Sequence, residues 1–145
     1  MRRTLLPLLL GCLLTTAATP ALPEPDERDV VVELVNIERA SAGCGPVHVD
    51  ERLAAAAQDH SQDMAERDYL SHESPEGEGP RERADRHGYP HLVAETVARG
   101  QQSAERVVET WMASERHRAI ILNCDRVAVG VGEAERAWTQ KLGHG

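Results

Sequence analysis

The strongest candidate for site chemistry in this sequence is a histidine in a polar loop. His72 lies in the segment from Tyr69 to Gly77, which follows a long helical pattern and ends in a turn signal. Small polar residues flank this imidazole, and no apolar pattern around it predicts burial. An imidazole in such a place can bind a metal ion or transfer a proton near neutral pH. Taken alone, however, the segment fits an ordinary loop histidine better.

The remaining histidines near predicted elements have simpler interpretations. His60 lies on the apolar stripe of the second predicted helix, which favours a hydrogen-bonded core histidine over a ligand. His87 and His91 have the i, i+4 spacing of a helical chelate, but Gly88 and Pro90 prevent the helix that it needs. We therefore do not predict a metal site at these positions.

Composition and motifs argue against several function classes. The chain of 145 residues carries a formal net charge of −8, so it offers no basic stripe for nucleic acid and would be repelled by anionic membrane surfaces. It contains no H-E-x-x-H, G-x-S-x-G or phosphate-binding loop motif. No serine or cysteine stands in a recognisable nucleophile motif, and covalent catalysis has no candidate.

The N-terminus has the layout of a secretory signal peptide. Arg2 and Arg3 precede a short apolar run, Leu5 to Leu14, and small residues follow up to Ala21. We predict a signal peptide over residues 1–21, with cleavage after Ala18 as the alternative, and hence a secreted, extracellular protein. A second alternative is a lipoprotein anchored at Cys12, because residues 9–12 loosely resemble a lipobox.

Two cysteines remain after that cleavage, Cys44 and Cys124. A lone pair in an exported protein is most simply a disulfide, which here would connect the start of the domain to its end. The alternative is a two-thiolate metal site. It is disfavoured because the two residues are isolated and form no C-x-x-C pattern.

The hydrophobic pattern predicts an α+β protein with one domain over residues 29–145, preceded by a flexible leader at 22–28. The Ala-rich stretch 54–57 indicates a close contact of the second helix with another element. The predicted elements are helices at 29–41, 51–67, 81–87, 103–112 and 115–122, a short extended piece at 47–49, a strand at 91–99, and a terminal hairpin with strands at 127–131 and 137–142 around a turn at 132–135.

An ordered set of short motifs runs through the whole of this domain. The set consists of Asn36-x-x-Arg39, Gly43-Cys44-Gly45-Pro46, His60-Ser61-x-Asp63-Met64-Ala65, Ser71-His72-x-Ser74-Pro75-x-Gly77, Ala94-Glu95, Trp111-Met112-x-Ser114-x-x-His117-Arg118, Ile121-Leu122-Asn123-Cys124, Gly130-Val131-Gly132 and Trp138-Thr139-Gln140. In this set the chain resembles the bacterial, actinobacterial-type branch of the CAP superfamily, also called the SCP domain.

The resemblance implies a fold and a site. The fold is an α–β–α sandwich with a small central antiparallel sheet, and the site is a cleft that holds two histidines and two glutamates. The matching positions are His72, Glu95 and His117, while the second glutamate falls on Ser114. Glu115 is adjacent, but on a helix its side chain would leave about 100° away.

Other cleft positions also depart from the family pattern. Family members usually have Gly at the position of Arg116 and Asn at the positions of Thr96 and Ile120. The change to Arg116 removes backbone freedom immediately before His117.

Three functions are compatible with such a cleft. The first is a non-enzymatic, monomeric extracellular module that binds a small ligand, a lipid, an extracellular protein or a divalent metal such as zinc, with His72, Glu95 and His117 as ligands. The second is a metal-assisted hydrolase of the peptidase type, in which Glu95 would be the base on a zinc-bound water. The third is a structural or partner-binding domain whose cleft is a relic.

Overall fold

The computed structural model describes residues 23–145, so the predicted signal peptide and Cys12 lie outside the described residues. Within this range no helix is long and apolar enough to cross a membrane. The elements are α1 (Glu27–Ser41), β1 (His48–Val49), α2 (Glu51–Glu66), α3 (Pro80–Arg86), β2 (Val93–Arg99), α4 (Ala104–Ala113), α5 (Glu115–Ile121), β3 (Ala128–Ala134) and β4 (Ala137–Gly143).

Short polar side chains define where the helices begin. Asp50 and Ser103 cap α2 and α4 by accepting from main-chain N–H groups two and three residues further on. Asp26 caps α1 in the same way, so the helix begins at Glu27. The predicted flexible leader at 22–28 was therefore two residues too long at its C-terminal end.

The sheet has the strand order β1-β3-β4-β2. Strand β4 pairs antiparallel with β3 and β2, but the two-residue β1 pairs parallel with β3. The sheet is therefore mixed. The resemblance implied an antiparallel sheet, which is correct for β2, β3 and β4 but wrong for β1. A parallel pair is possible here because α2 and much of the chain separate β1 from β3 and supply the long crossover that it needs.

The predicted terminal hairpin is present, but its turn was placed too early. Strand β3 continues to Ala134, and Glu135 and Arg136 form a two-residue turn with φ values of 46° and 65°. The sequence pattern predicted Gly132 as a turn residue, but Gly132 lies inside β3. A Cβ atom at Gly132 would stand 2.4 Å from the main-chain carbonyl carbon of Ala57 in α2.

Helices cover both faces of the sheet, as expected for an α–β–α sandwich. Helix α2 lies directly on β3 and β4, and its Ala-rich stretch makes the close contact that the sequence indicated. Helices α1, α4 and α5 cover the other face. The main apolar core lies between these three helices and the sheet and includes Val31, Val35, Val107, Trp111, Ile121, Val129, Trp138 and Leu142.

One buried junction connects the end of α1 to the segment after α5. Cys44 and Cys124 form a disulfide with a Cα–Cα distance of 4.8 Å. The fully buried Arg39 donates to the main-chain oxygens of Ile121, Asn123 and Arg126 at 2.7–2.9 Å. These contacts hold the C-terminal end of α5 against α1, and α5 is the helix that carries His117.

Candidate functional site

A cleft of about 340 Å³ opens at β2, which forms one edge of the sheet. Three residues of β2, Val93 to Glu95, line its floor. The loop before α3 and the start of α3 form one wall, and α5 forms the other. The wall residues are His72, Pro80, Arg116 and Ile120.

Glu95 is the centre of a buried charge network at this floor. It lies opposite Lys141 in the antiparallel register of β2 and β4, and Lys141 Nζ donates to Glu95 Oε2 at 2.6 Å. The side chains of Lys141 and Glu95 are 0% and 1% exposed. Lys141 also donates to the main-chain oxygen of Pro80 at 3.1 Å, which fixes the start of α3 beside the carboxylate.

Arg83 supplies a second cation from α3. Its Nη2 atom lies 3.3 Å and 3.2 Å from the two carboxylate oxygens of Glu95 and donates to the main-chain oxygen of His72 at 2.6 Å. Its Nη1 atom donates to the main-chain oxygen of Glu78 at 2.7 Å. Arg83 therefore connects the loop that carries His72 to the carboxylate at the floor of the cleft.

His72 approaches the same carboxylate from the wall of the cleft. Its Nδ1 atom lies 3.0 Å from Glu95 Oε1. Because an ionised carboxylate only accepts hydrogen bonds, Nδ1 is the protonated nitrogen and donates. About a third of the His72 side chain, 37%, remains exposed, so the ring forms part of the cleft surface.

These partners decide the protonation state of Glu95. Burial alone would raise its pKa, but the hydrogen bond from His72 and the charges of Lys141 and Arg83 outweigh burial and lower the pKa to about 2. Burial also lowers the pKa of Lys141, and the charge of Glu95 opposes that change. At neutral pH the network therefore contains an ionised carboxylate between two cations.

His60 is a buried core histidine, as its sequence pattern indicated, and it also borders this network. Its ring is 1% exposed, and Nε2 lies 2.8 Å from the main-chain oxygen of Ser71. Burial lowers the pKa of His60, so the neutral ring with a proton on Nε2 is the form that this contact requires. Nε2 also lies 4.0 Å from Glu95 Oε1. His60 thus supports the loop segment immediately before His72.

His117 lies on α5 next to Arg116, but it is not among the residues that line the cleft. Burial lowers its pKa, and the charges of His72 and Arg116 lower it further. The Nδ1 atom of His117 is buried and has no hydrogen-bond partner among residues 23–145. The structure thus brings His72 into contact with Glu95, whereas His117 contacts neither by a hydrogen bond in the described part of the chain.

Ser114 and Glu115 have other roles than those of a missing cleft carboxylate. Ser114 is the N-cap of α5, and its Oγ atom accepts from the main-chain N–H of His117 at 3.5 Å. Glu115 is exposed in the first turn of α5 and makes no ion pair in the described residues. Arg116, by contrast, is exposed and lines the cleft. The departure at Arg116 therefore changes the charge of the wall.

The family model described as CAP, cysteine-rich secretory protein family, matches residues 32–141. The chain belongs to this family. The uncharacterized protein YkwD of Bacillus subtilis (strain 168) is 39% identical over 131 residues, which cover 88% of this chain and 51% of YkwD. The uncharacterized membrane protein YlbC of the same strain is 32% identical over 113 residues, which cover 77% of this chain and 33% of YlbC.

The fold of this CAP domain is also found in solved structures. An extracellular protein containing a SCP domain from Bacillus anthracis str. Ames matches with a TM-score of 0.80 and 28% identity over 82% of this chain and 40% of that protein. A cysteine-rich secretory protein from Staphylococcus aureus matches with a TM-score of 0.73 and 18% identity over 87% of this chain and 40% of that one. This chain thus spans about half or less of these relatives.

The geometry of the CAP cleft fits a metal ion only in part. Within residues 23–145 no group of three or more His, Cys, Asp or Glu side chains is arranged to hold a metal ion. Both oxygens of Glu95 are engaged by Lys141, Arg83 and His72, so Glu95 does not fit as a direct ligand in this arrangement. It does fit as the carboxylate that orients a ligating histidine, because the hydrogen bond to Nδ1 leaves Nε2 of His72 free. The metal site stays a prediction.

Sequence reasoning missed both cations of the network. Lys141 lies in β4, which is buried along its whole length and has neighbours on both sides. A lysine in a central strand requires a buried carboxylate nearby, and this signal could have led to Glu95. Arg83 is one of several arginines in α3, and nothing in the sequence distinguishes it from Arg81 or Arg86.

Proposed function

We propose that this CAP domain is a non-enzymatic extracellular binding module whose cleft at the edge of β2 takes a small ligand. The observation that carries the proposal is the network of Glu95, Lys141 and Arg83 at the floor of that cleft. Buried ion pairs often stabilise a protein less than apolar residues of the same volume would, because the charges lose their hydration. Such a network beside an open cleft is better explained by binding than by folding.

The charges at the cleft favour a ligand with hydrogen-bond acceptors or negative charge. Glu95 is balanced by two cations, and Arg116 makes no ion pair among residues 23–145 while it lines the wall. A small apolar surface from Val93 and Ile120 lies beside these charges. A ligand that combines an anionic or polar group with a short apolar part would match both features.

Metal binding by the same cleft is a second element of this proposal. His72 and His117 would supply two imidazole ligands, with Glu95 as the orienting partner of His72. A bound divalent cation would attract an anionic ligand into the cleft. The two cations next to Glu95 oppose a further positive charge at that carboxylate, which argues for a site on the imidazoles alone.

The hydrolase alternative has less support. A general base works best with a pKa near the operating pH, whereas the partners of Glu95 lower its pKa to about 2. An ionised carboxylate that already accepts from a lysine, an arginine and a histidine takes up another proton poorly. Glu95 is therefore proposed as a structural and orienting residue and not as a catalytic one.

Secretion is part of the proposal as well. The predicted signal peptide at residues 1–21 and the disulfide between Cys44 and Cys124 both suit an exported protein. The Bacillus anthracis protein with the same fold is described as extracellular.

Ligand-detected NMR tests this function. The mature chain would be mixed with N-acetyl amino acids, short-chain fatty acids and sugar phosphates, and saturation transfer to each probe recorded. We expect transfer to at least one anionic class, lost in the double variant His72→Ala, His117→Ala. The matched control is His48→Ala, His144→Ala, since the family resemblance assigns neither histidine to the cleft. No transfer to any probe, or equal transfer to both variants, would contradict the proposal.

A further inference from the structure

Strand β2 has one paired side and one open side, and the pairing pattern shows which main-chain groups are open. The main-chain N–H of His144 donates to the oxygen of Leu92, and that of Gly100 donates to the oxygen of Arg136. These two bonds flank the β2–β4 register at its two ends. Within the register, each step of one residue up β2 is matched by a step of one residue down β4, without a bulge. In an antiparallel pair, hydrogen-bonded and non-hydrogen-bonded positions alternate. The even-numbered residues of β2 therefore bond to β4.

The odd-numbered residues of β2 consequently direct their N–H and C=O groups away from β4. Trp111 confirms this direction, because its Nε1 atom donates to the main-chain oxygen of Val97 at 3.3 Å from the α4 side. Val93 and Glu95 have the same orientation. No hydrogen bond to their outward main-chain groups occurs within residues 23–145.

These open groups lie in the cleft described above. Val93, Ala94 and Glu95 form its floor. The Glu95 side chain is 1% exposed while the whole residue is 4% exposed, so the small exposure that remains belongs mainly to the main chain. Two N–H donors and two C=O acceptors at alternate residues present the pattern that pairs with another extended chain.

We propose that the cleft binds an extended peptide segment that adds to the edge of β2 by main-chain hydrogen bonds and carries a carboxylate. This inference rests on the proposed function and specifies its ligand class. Pro80 on one side and Arg116 and Ile120 on the other flank these open groups. Such β-strand addition gives affinity through the main chain and specificity through side-chain pockets.

Charge and shape define the peptide further. Arg83 and Lys141 pair with Glu95, and Arg116 adds a third cation in the lining of the cleft, in a protein whose formal net charge is −8. The cleft is thus a local positive site, and Arg116 is the one of these three cations that is exposed to a ligand. A peptide carboxylate pairs with Arg116, and a short apolar side chain next to it contacts Val93 and Ile120. The carboxylate belongs either to the peptide C-terminus or to an acidic side chain.

The test uses the mature ¹⁵N-labelled protein and a pool of N-acetylated tetrapeptides. Each pool member has a free C-terminus, and its positions are randomised over Ala, Val, Leu, Ser and Asp. We expect the amide signals of Val93 and Glu95 to shift and their hydrogen exchange to slow. A C-terminally amidated pool distinguishes the two sources of the carboxylate: equal binding assigns it to the acidic side chain, and weaker binding assigns it to the C-terminus. A pool with N-methylated main-chain amides is expected not to bind.

Two matched variants isolate the main-chain contact. Val93→Pro removes an outward N–H group at the first residue of an edge strand, where proline is tolerated, and Val93→Ala keeps that group. Loss of one such hydrogen bond is expected to weaken binding about fivefold for Val93→Pro. The fivefold loss is measured against Val93→Ala, because both variants replace the valine side chain and only the proline removes the N–H group. Arg116→Ser should weaken binding of peptides with a carboxylate only.

The outcomes separate this inference from the proposed function. If the small probes bind the cleft but the peptide pool does not, or if N-methylated peptides bind as well as the others, peptide addition is wrong while the binding function stands. If neither peptides nor small probes bind, both fail. Protection of the Val93 and Glu95 amides in the free protein that disappears on dilution would show that a second copy occupies the edge, which also overturns the inference.

Discussion

Glu95 and Lys141 lie directly opposite each other on β2 and β4, and their 2.6 Å ion pair is buried under the floor of an open cleft. Arg83 adds a second cation and ties the loop of His72 to the same carboxylate. One glutamate thereby positions three separate segments of the chain. The cleft wall at His72 and the packing of α3 on the sheet depend on the same charge.

Removal of this charge should destabilise the protein strongly. Glu95→Gln leaves Lys141 and Arg83 buried without a counter-charge, and breaking a buried pair in this way costs about 3–5 kcal/mol. Denaturant unfolding followed by circular dichroism measures the effect. Glu73→Gln is the matched control, since Glu73 is exposed and has no ion pair among residues 23–145; its change should stay within about 0.5 kcal/mol. A loss below about 1 kcal/mol for Glu95→Gln would show that the network carries little stability.

The same network makes stability depend on acid pH. The pKa of Glu95 is lowered from 4.5 to about 2 in the folded protein, so its stabilisation is complete above about pH 4.5 and is lost as the pH falls to about 2. A shift of this size corresponds to about 3 kcal/mol. The pKa values of Asp50 and Asp63 are lowered as well, and the wild type alone does not isolate Glu95. We expect the stability difference between wild type and Glu95→Gln to shrink by about 3 kcal/mol between pH 6 and pH 2. A constant difference contradicts the assignment.

The sequence predicted the local elements well because their signals are local. Asp50 and Ser103 mark helix starts through their own side chains, and the alternation of apolar residues defines the final hairpin. The Glu95 network could not be predicted in this way. It joins Glu95 to Arg83, 12 positions away in the sequence, and to Lys141, 46 positions away. These contacts depend on how α3 and β4 pack next to β2. The ordered motif set supplied His72, Glu95 and His117, but it contains neither cation.

A glycine of β3, Gly130, tests the contact between helix and sheet. A Cβ atom at Gly130 would lie 2.1 Å from the carbonyl carbon of Leu53, so Gly130→Ala forces α2 away from the sheet. We expect a loss of about 3 kcal/mol or more, at the upper end of overpacking effects, measured by thermal unfolding. Gly45→Ala is the matched control because no atom lies within 4 Å of its added Cβ. If both variants unfold at the same temperature, the close packing of α2 on β3 is wrong.

Zinc binding tests whether His72 and His117 hold a metal ion. Protein stripped of metal by a chelator would be titrated with zinc in a calorimeter. We expect binding heat in the wild type that is absent from His72→Ala, His117→Ala and retained in His48→Ala, His144→Ala. Ser114→Ala should also keep it, since Ser114 serves as a helix cap. Equal heats from the wild type and the cleft variant would remove the metal from this cleft.

The disulfide should contribute more stability than any single surface contact. Cys44 and Cys124 are separated by 80 residues, and closing a loop of that length is worth about 4 kcal/mol in the chain-entropy account. We expect Cys44→Ser, Cys124→Ser to lower the free energy of unfolding by this amount, and reduction of the wild type under denaturing conditions to produce the same change. The rival two-thiolate metal site makes the opposite prediction: a chelator would destabilise the wild type, and free thiols would be detected without a reductant. Because Arg39 holds the same junction through the oxygens of Ile121, Asn123 and Arg126, the doubly substituted chain should still fold at low temperature.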